Sequence, residues 1–233
     1  MEEMQARDRL VVAVDLSSRE EILKLIDELR GAAGIFKIGL QAFVAQGPGI
    51  VREIVGRGER VFLDLKIHDI PNTAGRAVAE GVSHGASMLT VHASGGEAML
   101  RAAAQSAGTS VVLGVTILTS LDAAEIEQIG WAHSPLESAV RLALLARAAG
   151  LRGVVSSPRE IRAIREACGG DFVIITPGIR PAGSGADDQK RTLTPAEAIA
   201  AGADYVVVGR PITAAASRRD AAMRIVEEME RAG

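Results

Sequence analysis

The chain has 233 residues, of which 48% are hydrophobic, and a formal net charge of −3 at pH 7. This composition predicts one globular domain with a sizeable core, and the slight negative charge argues against a nucleic-acid-binding surface. The single cysteine excludes an intrachain disulfide, and no apolar run approaches the roughly 20 residues of a membrane-spanning helix. The charged first residues lack the apolar region of a secretory signal. We therefore expect a cytoplasmic protein without membrane or nucleic-acid partners.

Eight apolar runs alternate with helical patterns along the chain. The predicted strands cover residues 10–16, 34–40, 61–66, 88–93, 110–116, 153–156, 171–178 and 204–209. The segments between them predict helices, including one uninterrupted helix over residues 41–55 and a short helix from Pro211 through Ser217. Near-continuous apolar runs are typical of parallel strands that are covered on both faces. Eight βα units in a chain of this length predict a single (β/α)8 TIM barrel domain over residues 1–233.

The most informative segment covers residues 61–73, VFLDLKIHDIPNT. Its apolar strand carries Asp64 and Lys66, and Asp69 follows where the chain leaves the strand. Because side chains alternate between the two faces of a strand, we expect Asp64 and Lys66 on one face and the neighbouring leucine and isoleucine side chains on the other. A structural ion pair at a strand end is the alternative interpretation. Two carboxylates that flank a lysine at a strand exit favour an active site, which parallel barrels form at the carboxyl ends of their strands.

Further polar residues occur near the ends of neighbouring strands. Asp15 ends the first strand, Lys37 lies within the second, and Thr119 follows the fifth. Because the first two strands adjoin the third in a barrel, their charges should converge with those of the third. Asp15 could instead cap the next helix, and Lys37 could point outward. The four histidines show no metal-ligand spacing, and no cofactor motif is present, so we expect neither metal nor cofactor.

The exit of the eighth strand, VGRPI, predicts a phosphate site. Gly209 permits close approach of the backbone to a ligand, and Arg210 supplies a bidentate hydrogen-bond donor. Pro211 can begin a short helix whose free N–H groups face an anion. The loop after the seventh strand, which contains Arg180 and Gln189, is predicted to fold over the phosphate as a lid, with a flexible surface loop as the alternative.

The segment DLKIHDIPNT resembles the signature of the orotidine 5′-phosphate decarboxylase family. The segments VAVDL, FKIGL, VTILTS, PGIRP, DDQKR and VVVGRPI extend the resemblance over nearly the whole chain. The resemblance implies a decarboxylase that converts orotidine 5′-phosphate to UMP, the last step of de novo UMP synthesis. It also implies a homodimer whose active sites are shared across the subunit interface.

The same resemblance assigns roles to individual residues. It makes Lys66 the proton donor to C6 of the pyrimidine, within an alternating array of Lys37, Asp64, Lys66 and Asp69, with Asp69 contributed by the neighbouring subunit. The substrate-binding residues that it implies are Asp15, Lys37 and Thr73 around the ribose, Thr119 at the pyrimidine edge, and Arg180, Gln189, Gly209 and Arg210 at the phosphate end.

Two other functions remain open from the sequence. The pattern D-x-K-x-x-D also occurs in phosphosugar decarboxylases and synthases of similar fold, which use Mg²⁺ held by carboxylates. One of those carboxylates comes from the second strand, where Lys37 would instead repel a divalent cation. The other alternative is a non-catalytic binder of a phosphorylated ligand, which would not need Lys66 between two acids.

Overall fold

Eight parallel strands close into a barrel in the order of the chain, with β1 hydrogen-bonded to β8. The structure is a computed structural model and describes residues 4–181 and 193–232. The strands are Leu10–Val14 (β1), Ile35–Gly39 (β2), Val61–Ile67 (β3), Met88–His92 (β4), Val111–Val115 (β5), Gly153–Val155 (β6), Val173–Thr176 (β7) and Tyr205–Val208 (β8). The predicted (β/α)8 TIM barrel is therefore confirmed.

Helices follow the strands and surround the barrel. They are Arg19–Leu29 (α1), Leu40–Gln46 (α2), Gly49–Gly56 (α3), Pro71–Ser83 (α4), Glu97–Gln105 (α5), Ala123–Gln128 (α6), Pro135–Ala148 (α7), Ile161–Cys168 (α8), Pro195–Ala200 (α9), Arg210–Thr213 (α10) and Arg218–Glu230 (α11). Short 3-10 turns cover Ala6–Arg9, Ala93–Gly95 and Pro158–Glu160. Within residues 4–181 and 193–232, no helix combines the length and apolar character needed to span a membrane.

Side chains of the strands alternate between two apolar layers. Phe36 and Ile38 of β2 pack outward in the layer between the barrel and its helices. Ile35 and Phe62 belong to the second layer, which fills the barrel interior. Because strand side chains alternate, Lys37 between Phe36 and Ile38 points inward. An inward lysine can be accommodated only near the open end of the barrel, where counter-charges are available.

Two predicted helices differ from those in the structure. The helix expected over residues 41–55 is split into α2 and α3, because Gly47 adopts a left-handed conformation with φ 65° and Pro48 lacks an N–H group. The helix expected from Pro211 through Ser217 ends at Thr213. Ser217 is instead the N-cap of α11, where its hydroxyl accepts a hydrogen bond from the Asp220 N–H.

Strand β3 is irregular where it carries its charges. Leu63 pairs with Leu89 of β4 and Ile67 pairs with Val91, so four residue steps along β3 correspond to two along β4. Within this bulge Lys66 has φ 52°, the only positive φ of a non-glycine residue in the described ranges. The regular strand expected for this segment is therefore wrong at Lys66, although its side chain still meets that of Asp64.

Candidate active site

A cavity of about 290 Å³ lies at the carboxyl ends of the strands. Its lining includes eight of the predicted site residues: Asp15, Lys37, Asp64, Lys66, Thr119, Arg180, Gly209 and Arg210. These residues come from or follow β1, β2, β3, β5, β7 and β8, so the closed barrel brings together side chains that are far apart in the chain. Enzymes with a TIM-barrel fold have their active sites at this end of the barrel.

The centre of the cavity wall is a chain of alternating charges. The Nζ of Lys66 donates a hydrogen bond of 2.8 Å to Oδ2 of Asp64. The Nζ of Lys37 lies 3.5 Å from the same oxygen and 3.7 Å from Oδ1 of Asp15. The Asp64 side chain is 10% exposed and that of Lys37 is 13% exposed, whereas those of Lys66 and Asp15 are 30% and 59% exposed. The two ammonium groups therefore flank one buried carboxylate and remain accessible to a ligand.

Asp64 is held ionised by its neighbours. Burial disfavours the carboxylate, but the charges of Lys37 and Lys66 and the hydrogen bonds from Lys66 and Thr90 outweigh burial and lower the pKa of Asp64. The Thr90 hydroxyl donates to Oδ1 of Asp64 at 2.9 Å, which leaves Oδ2 to face both lysines. The carboxylate is thus fixed in orientation as well as in charge.

The inner wall of the cavity is apolar. Four different strands of the barrel contribute one apolar side chain each to this lining: Phe62, Val115, Val155 and Val207. The apolar part of the lining offers water no hydrogen-bond partners, so a bound ligand can displace water from the space beside the charged array. In such a space each charge acts on a bound ligand more strongly than it would in bulk solvent. The arrangement suits a ligand that has an apolar part and carries a negative charge.

The cationic side chains at the other end of the cavity are Arg180, which follows β7, and Arg210, which follows β8. Gly209 lies between β8 and α10, and a Cβ atom there would be 3.6 Å from the Cβ of Ala13 and 4.0 Å from Oδ2 of Asp15. A side chain at this position would therefore occupy space beside Asp15, which glycine leaves to a ligand. Two arginines and an accessible backbone can bind a phosphate group.

Two predicted site residues that the structure describes, Asp69 and Thr73, do not line this cavity. Asp69 is exposed just beyond β3, where its Oδ1 accepts a hydrogen bond of 2.7 Å from the Ile70 N–H. Thr73 is exposed in the first turn of α4. Gln189 falls outside the described residues. Asp69 and Thr73 thus lie outside the lining of their own cavity, one between β3 and α4 and the other in the first turn of α4.

Thr90 is a site residue that the sequence analysis missed. It is completely buried in β4, where its hydroxyl contacts both Asp64 and the Lys66 backbone. The available signal was a hydroxyl at an inward position of an apolar strand, between Met88 and His92. His92, at the end of β4, is half-buried and stacks at a tilt on His68 with ring centroids 5.5 Å apart. Burial, His68 and Lys66 lower the pKa of His92.

Potential metal ligands do not cluster in the described ranges, which contain no group of three or more histidine, cysteine, aspartate or glutamate side chains able to hold an ion. The acids of the cavity are instead paired with lysines. Asp15 and Asp64 both contact Lys37, which lies between the ends of β1 and β3. The charges that this site presents to a ligand are therefore mainly those of ammonium and guanidinium groups.

Comparisons with known proteins agree on one family. The model of the orotidine 5′-phosphate decarboxylase / HUMPS family matches residues 8–225. Proteins named orotidine 5′-phosphate decarboxylase from Heliobacterium modesticaldum and Moorella thermoacetica are 50% and 52% identical to this chain, and the matches cover 97% of it and 97% and 94% of those proteins. The crystal structure of orotidine 5′-phosphate decarboxylase from Lactobacillus acidophilus matches with a TM-score of 0.85 at 32% identity, over 94% of this chain and 98% of that one. The chain therefore belongs to the orotidine 5′-phosphate decarboxylase / HUMPS family.

Proposed function

We propose that the protein decarboxylates orotidine 5′-phosphate to UMP in the cytoplasm, with Lys66 as the proton donor to C6 of the pyrimidine. The observation that carries the proposal is the Lys37–Asp64–Lys66 array, in which two ammonium groups lie 3.5 Å and 2.8 Å from one carboxylate oxygen beside an apolar wall. The names of the 50% and 52% identical relatives support the same reaction.

Loss of CO₂ from this substrate leaves a pair of electrons on C6, with no conjugated system to accept them. An ammonium group close to C6 stabilises that developing charge and then supplies the proton. At an effective dielectric constant of about 20, opposite charges 4 Å apart attract by roughly 4 kcal/mol, which corresponds to about three powers of ten in rate. In this proposal Lys66 donates the proton, and Asp64 keeps its ammonium charged and directed into the cavity.

The remaining barrier reduction comes from positioning. Arg180, Gly209 and Arg210 are proposed to bind the phosphate, and Thr119 to contact the pyrimidine. Asp15 and Lys37 then lie between these groups and Lys66, where the ribose would be. Binding energy from the phosphate can hold C6 against Lys66 only if both ends are engaged at once. Gln189 is proposed to act at the same end, by resemblance alone.

We further propose that the protein works as a homodimer in which Asp69 and Thr73 act in the neighbouring subunit's site. Both residues are exposed and lie outside their own cavity. Ile70, which follows Asp69 in the chain, is 67% exposed, and α2 also carries exposed apolar side chains, since Leu40 and Val44 are 54% and 79% exposed. An apolar surface next to unused polar residues favours an interface with a second copy.

A Mg²⁺-dependent phosphosugar reaction is the principal alternative within similar barrels. It requires carboxylates that are free to hold the ion. Here Asp64 accepts a hydrogen bond from Lys66 and lies 3.5 Å from the Lys37 ammonium. Two cations this close to the only buried acid of the cavity in the described ranges oppose binding of a divalent ion. The geometry therefore favours the metal-independent decarboxylation.

The test is to add purified protein to orotidine 5′-phosphate in buffer containing a chelator and to follow the ultraviolet absorbance of the substrate. The proposal expects rapid conversion to UMP, identified by chromatography, and an unchanged rate when Mg²⁺ replaces the chelator. Conversion that requires Mg²⁺, or the absence of conversion by a folded protein, would contradict it.

A further inference from the structure

We propose that Thr90 is a positioning residue that sets the geometry of the catalytic pair Asp64 and Lys66 without touching the substrate. The inference rests on the proposed function, and it assigns the Thr90 hydroxyl a supporting role in the proposed active site. Thr90 is 0% exposed and is not part of the cavity lining. Its effects must therefore pass through the residues that it contacts.

The first contact concerns the backbone of Lys66. Lys66 lies in the bulge of β3 with φ 52°, a conformation that non-glycine residues rarely adopt. Between the ladder pairs Leu63–Leu89 and Ile67–Val91 the regular register of β3 and β4 is interrupted. The Lys66 N–H donates instead to Oγ1 of Thr90 at 2.9 Å. A side chain thus replaces the backbone partner at the residue whose backbone is strained.

The second contact fixes the Asp64 carboxylate. The Thr90 hydroxyl has one proton, which it donates to Oδ1 of Asp64 at 2.9 Å. Because that proton is committed, the lone pairs of the hydroxyl face the Lys66 N–H. Oδ2 is left as the acceptor for the Lys66 ammonium at 2.8 Å. One hydroxyl therefore links the backbone of Lys66 to the carboxylate that its own side chain contacts.

These contacts explain how the backbone of Lys66 can be held at a strained positive φ. Without the hydroxyl, the Lys66 N–H would lose its partner in a partly buried region. The Asp64 carboxylate would then be free to rotate, which would move Oδ2 away from the Lys66 ammonium. The bulge could then relax toward a regular strand. A relaxed backbone would turn the Lys66 side chain from the position that the reaction needs, since functional strain persists only where the surroundings enforce it.

The decisive variant is Thr90→Val, which keeps the shape of the side chain and removes the hydroxyl. We expect kcat for orotidine 5′-phosphate to fall by about 10²-fold, as misplacement of a catalytic group does, with KM and the affinity for UMP little changed. Thr90→Ser retains the hydroxyl and should recover most of kcat. Thr176→Val is the matched control, since Thr176 is also 0% exposed in a strand and its hydroxyl makes no hydrogen bond within residues 4–181 and 193–232.

Equal kcat values for wild type and Thr90→Val, or equal losses in Thr90→Val and Thr90→Ser, would overturn the inference. If Thr90→Val does not fold, Thr90→Ala against Thr90→Ser gives the same comparison. A crystal structure of the valine or alanine variant provides a measurement that does not depend on activity. Lys66 should leave the positive φ region, and retention of φ near its wild-type value with an intact Lys66–Asp64 contact would overturn the proposal. Should the wild type itself fail to decarboxylate orotidine 5′-phosphate, the proposed function falls, while the crystal structure still decides the role of Thr90.

Discussion

The buried carboxylate of Asp64 is the residue on which the charges of the site depend. It contacts Lys66 at 2.8 Å, Lys37 at 3.5 Å and the Thr90 hydroxyl at 2.9 Å. Removal of such an acid leaves two close, partly buried ammonium groups without their counter-charge. Asp64 thus has two separable effects, one on the protein's stability and one on the direction of the Lys66 ammonium.

Lys66→Ala should remove most of kcat while binding at the phosphate end survives. The ammonium acts on charge that appears only in the transition state, so its loss is expected to lower kcat by at least about three powers of ten. Steady-state kinetics measure kcat, and calorimetric titration with UMP measures the retained binding. Lys24→Ala, which alters an exposed lysine of α1, is the control and should behave as wild type. A Lys66→Ala enzyme with kcat near that of wild type would exclude the proton-donor role.

The lowered pKa of Asp64 predicts how the free energy of unfolding changes with pH under acid conditions. Although burial opposes its ionisation, Lys37 and Lys66 lower its pKa in the folded state, whereas the unfolded chain has an ordinary pKa of about 3.9. The ionised carboxylate therefore contributes stability above about pH 3.9, and that contribution is lost as the pH falls through the folded-state pKa. Asp64→Asn should be less stable than wild type at pH 7 and should lose less of its free energy of unfolding below about pH 4.

Urea denaturation at a series of pH values from neutral to acid measures this difference. Asp27→Asn is the matched control, because Asp27 pairs with Arg30 and Arg57 on the surface and its side chain is 50% exposed. The free energy of unfolding of Asp27→Asn should fall with pH as steeply as that of wild type, because exposed ion pairs contribute little to stability. If the acid decline of Asp64→Asn were as steep as that of wild type, the coupling between Asp64 and the lysines would be absent.

At the scale of the elements, the sequence predicted the strands well and the local geometry of one strand poorly. The strands have three to seven residues and coincide with largely apolar runs, such as Leu10–Val14, that are visible without any tertiary information. The bulge at Lys66 is not, because it depends on the Thr90 hydroxyl, 24 residues away in the chain. The break at Gly47 and Pro48 could have been predicted from their residue types, but the apolar period across residues 41–55 concealed it.

The site residues divide in the same way. Asp15, Lys37, Asp64 and Lys66 stand out because charge is unexpected in or beside a buried strand. Thr90 does not, since threonine is common in strands and only its two contacts reveal its importance. The proposed roles of Asp69 and Thr73 depend on a second subunit, which a pattern within one chain cannot specify.

Arg210, at the start of α10, is predicted to bind the phosphate that locates the substrate. Arg210→Ala should lower kcat/KM for orotidine 5′-phosphate by roughly 10²- to 10³-fold, the loss typical of one well-placed donor. Decarboxylation of orotidine, which lacks the phosphate, should be nearly unaffected by the same change. Arg219→Ala, an exposed arginine of α11, is the control and should leave both substrates unaffected. Equal losses for the two substrates would contradict a phosphate role.

Substitutions at the amino ends of the strands, the end of the barrel opposite the cavity, should change stability and leave activity unchanged. Arg165 of α8 donates hydrogen bonds to the carbonyls of Gly202 and Phe172 and to Oδ2 of Asp204, at 2.7 Å each. Phe172 and Asp204 directly precede β7 and β8, so these bonds join the amino ends of two strands. Arg165→Ala should reduce the free energy of unfolding by about 2–3 kcal/mol without changing kcat/KM.

Urea denaturation and steady-state kinetics on the same preparation test this separation. Arg101→Ala is the matched control, since Arg101 forms an exposed pair with Glu97, and its effect on stability should be within about 0.5 kcal/mol. A large fall in kcat/KM for folded Arg165→Ala would show that the amino end of the barrel also influences the site.

For the whole molecule, closure of the barrel separates a stabilising end from a reactive end. The reactive end gathers charges from non-adjacent segments, whereas Asp69 and Thr73 are exposed and do not line the cavity. Ile70 lies between Asp69 and Thr73 in the chain and has an exposed apolar side chain. Val44 of α2 is likewise exposed. A single barrel thus leaves polar residues and apolar surface unused beside its own cavity. A two-fold dimer would use both, because the same patch on each subunit serves the other.

The last prediction follows from this arrangement: Lys66→Ala and Asp69→Ala chains, each inactive alone, should restore activity when they are unfolded and refolded together. If Asp69 acts in the partner's site, one site of each mixed dimer carries both substitutions and the other carries none. Random pairing makes about half of the dimers mixed, so about a quarter of all sites should be intact. If Asp69 acted within its own subunit, every site would carry one substitution and no activity would return. Refolded Lys66→Ala with wild type is the control for recovery, and native mass spectrometry confirms that mixed dimers form. A co-refolded mixture that contains mixed dimers but is no more active than its parts would rule out the shared site.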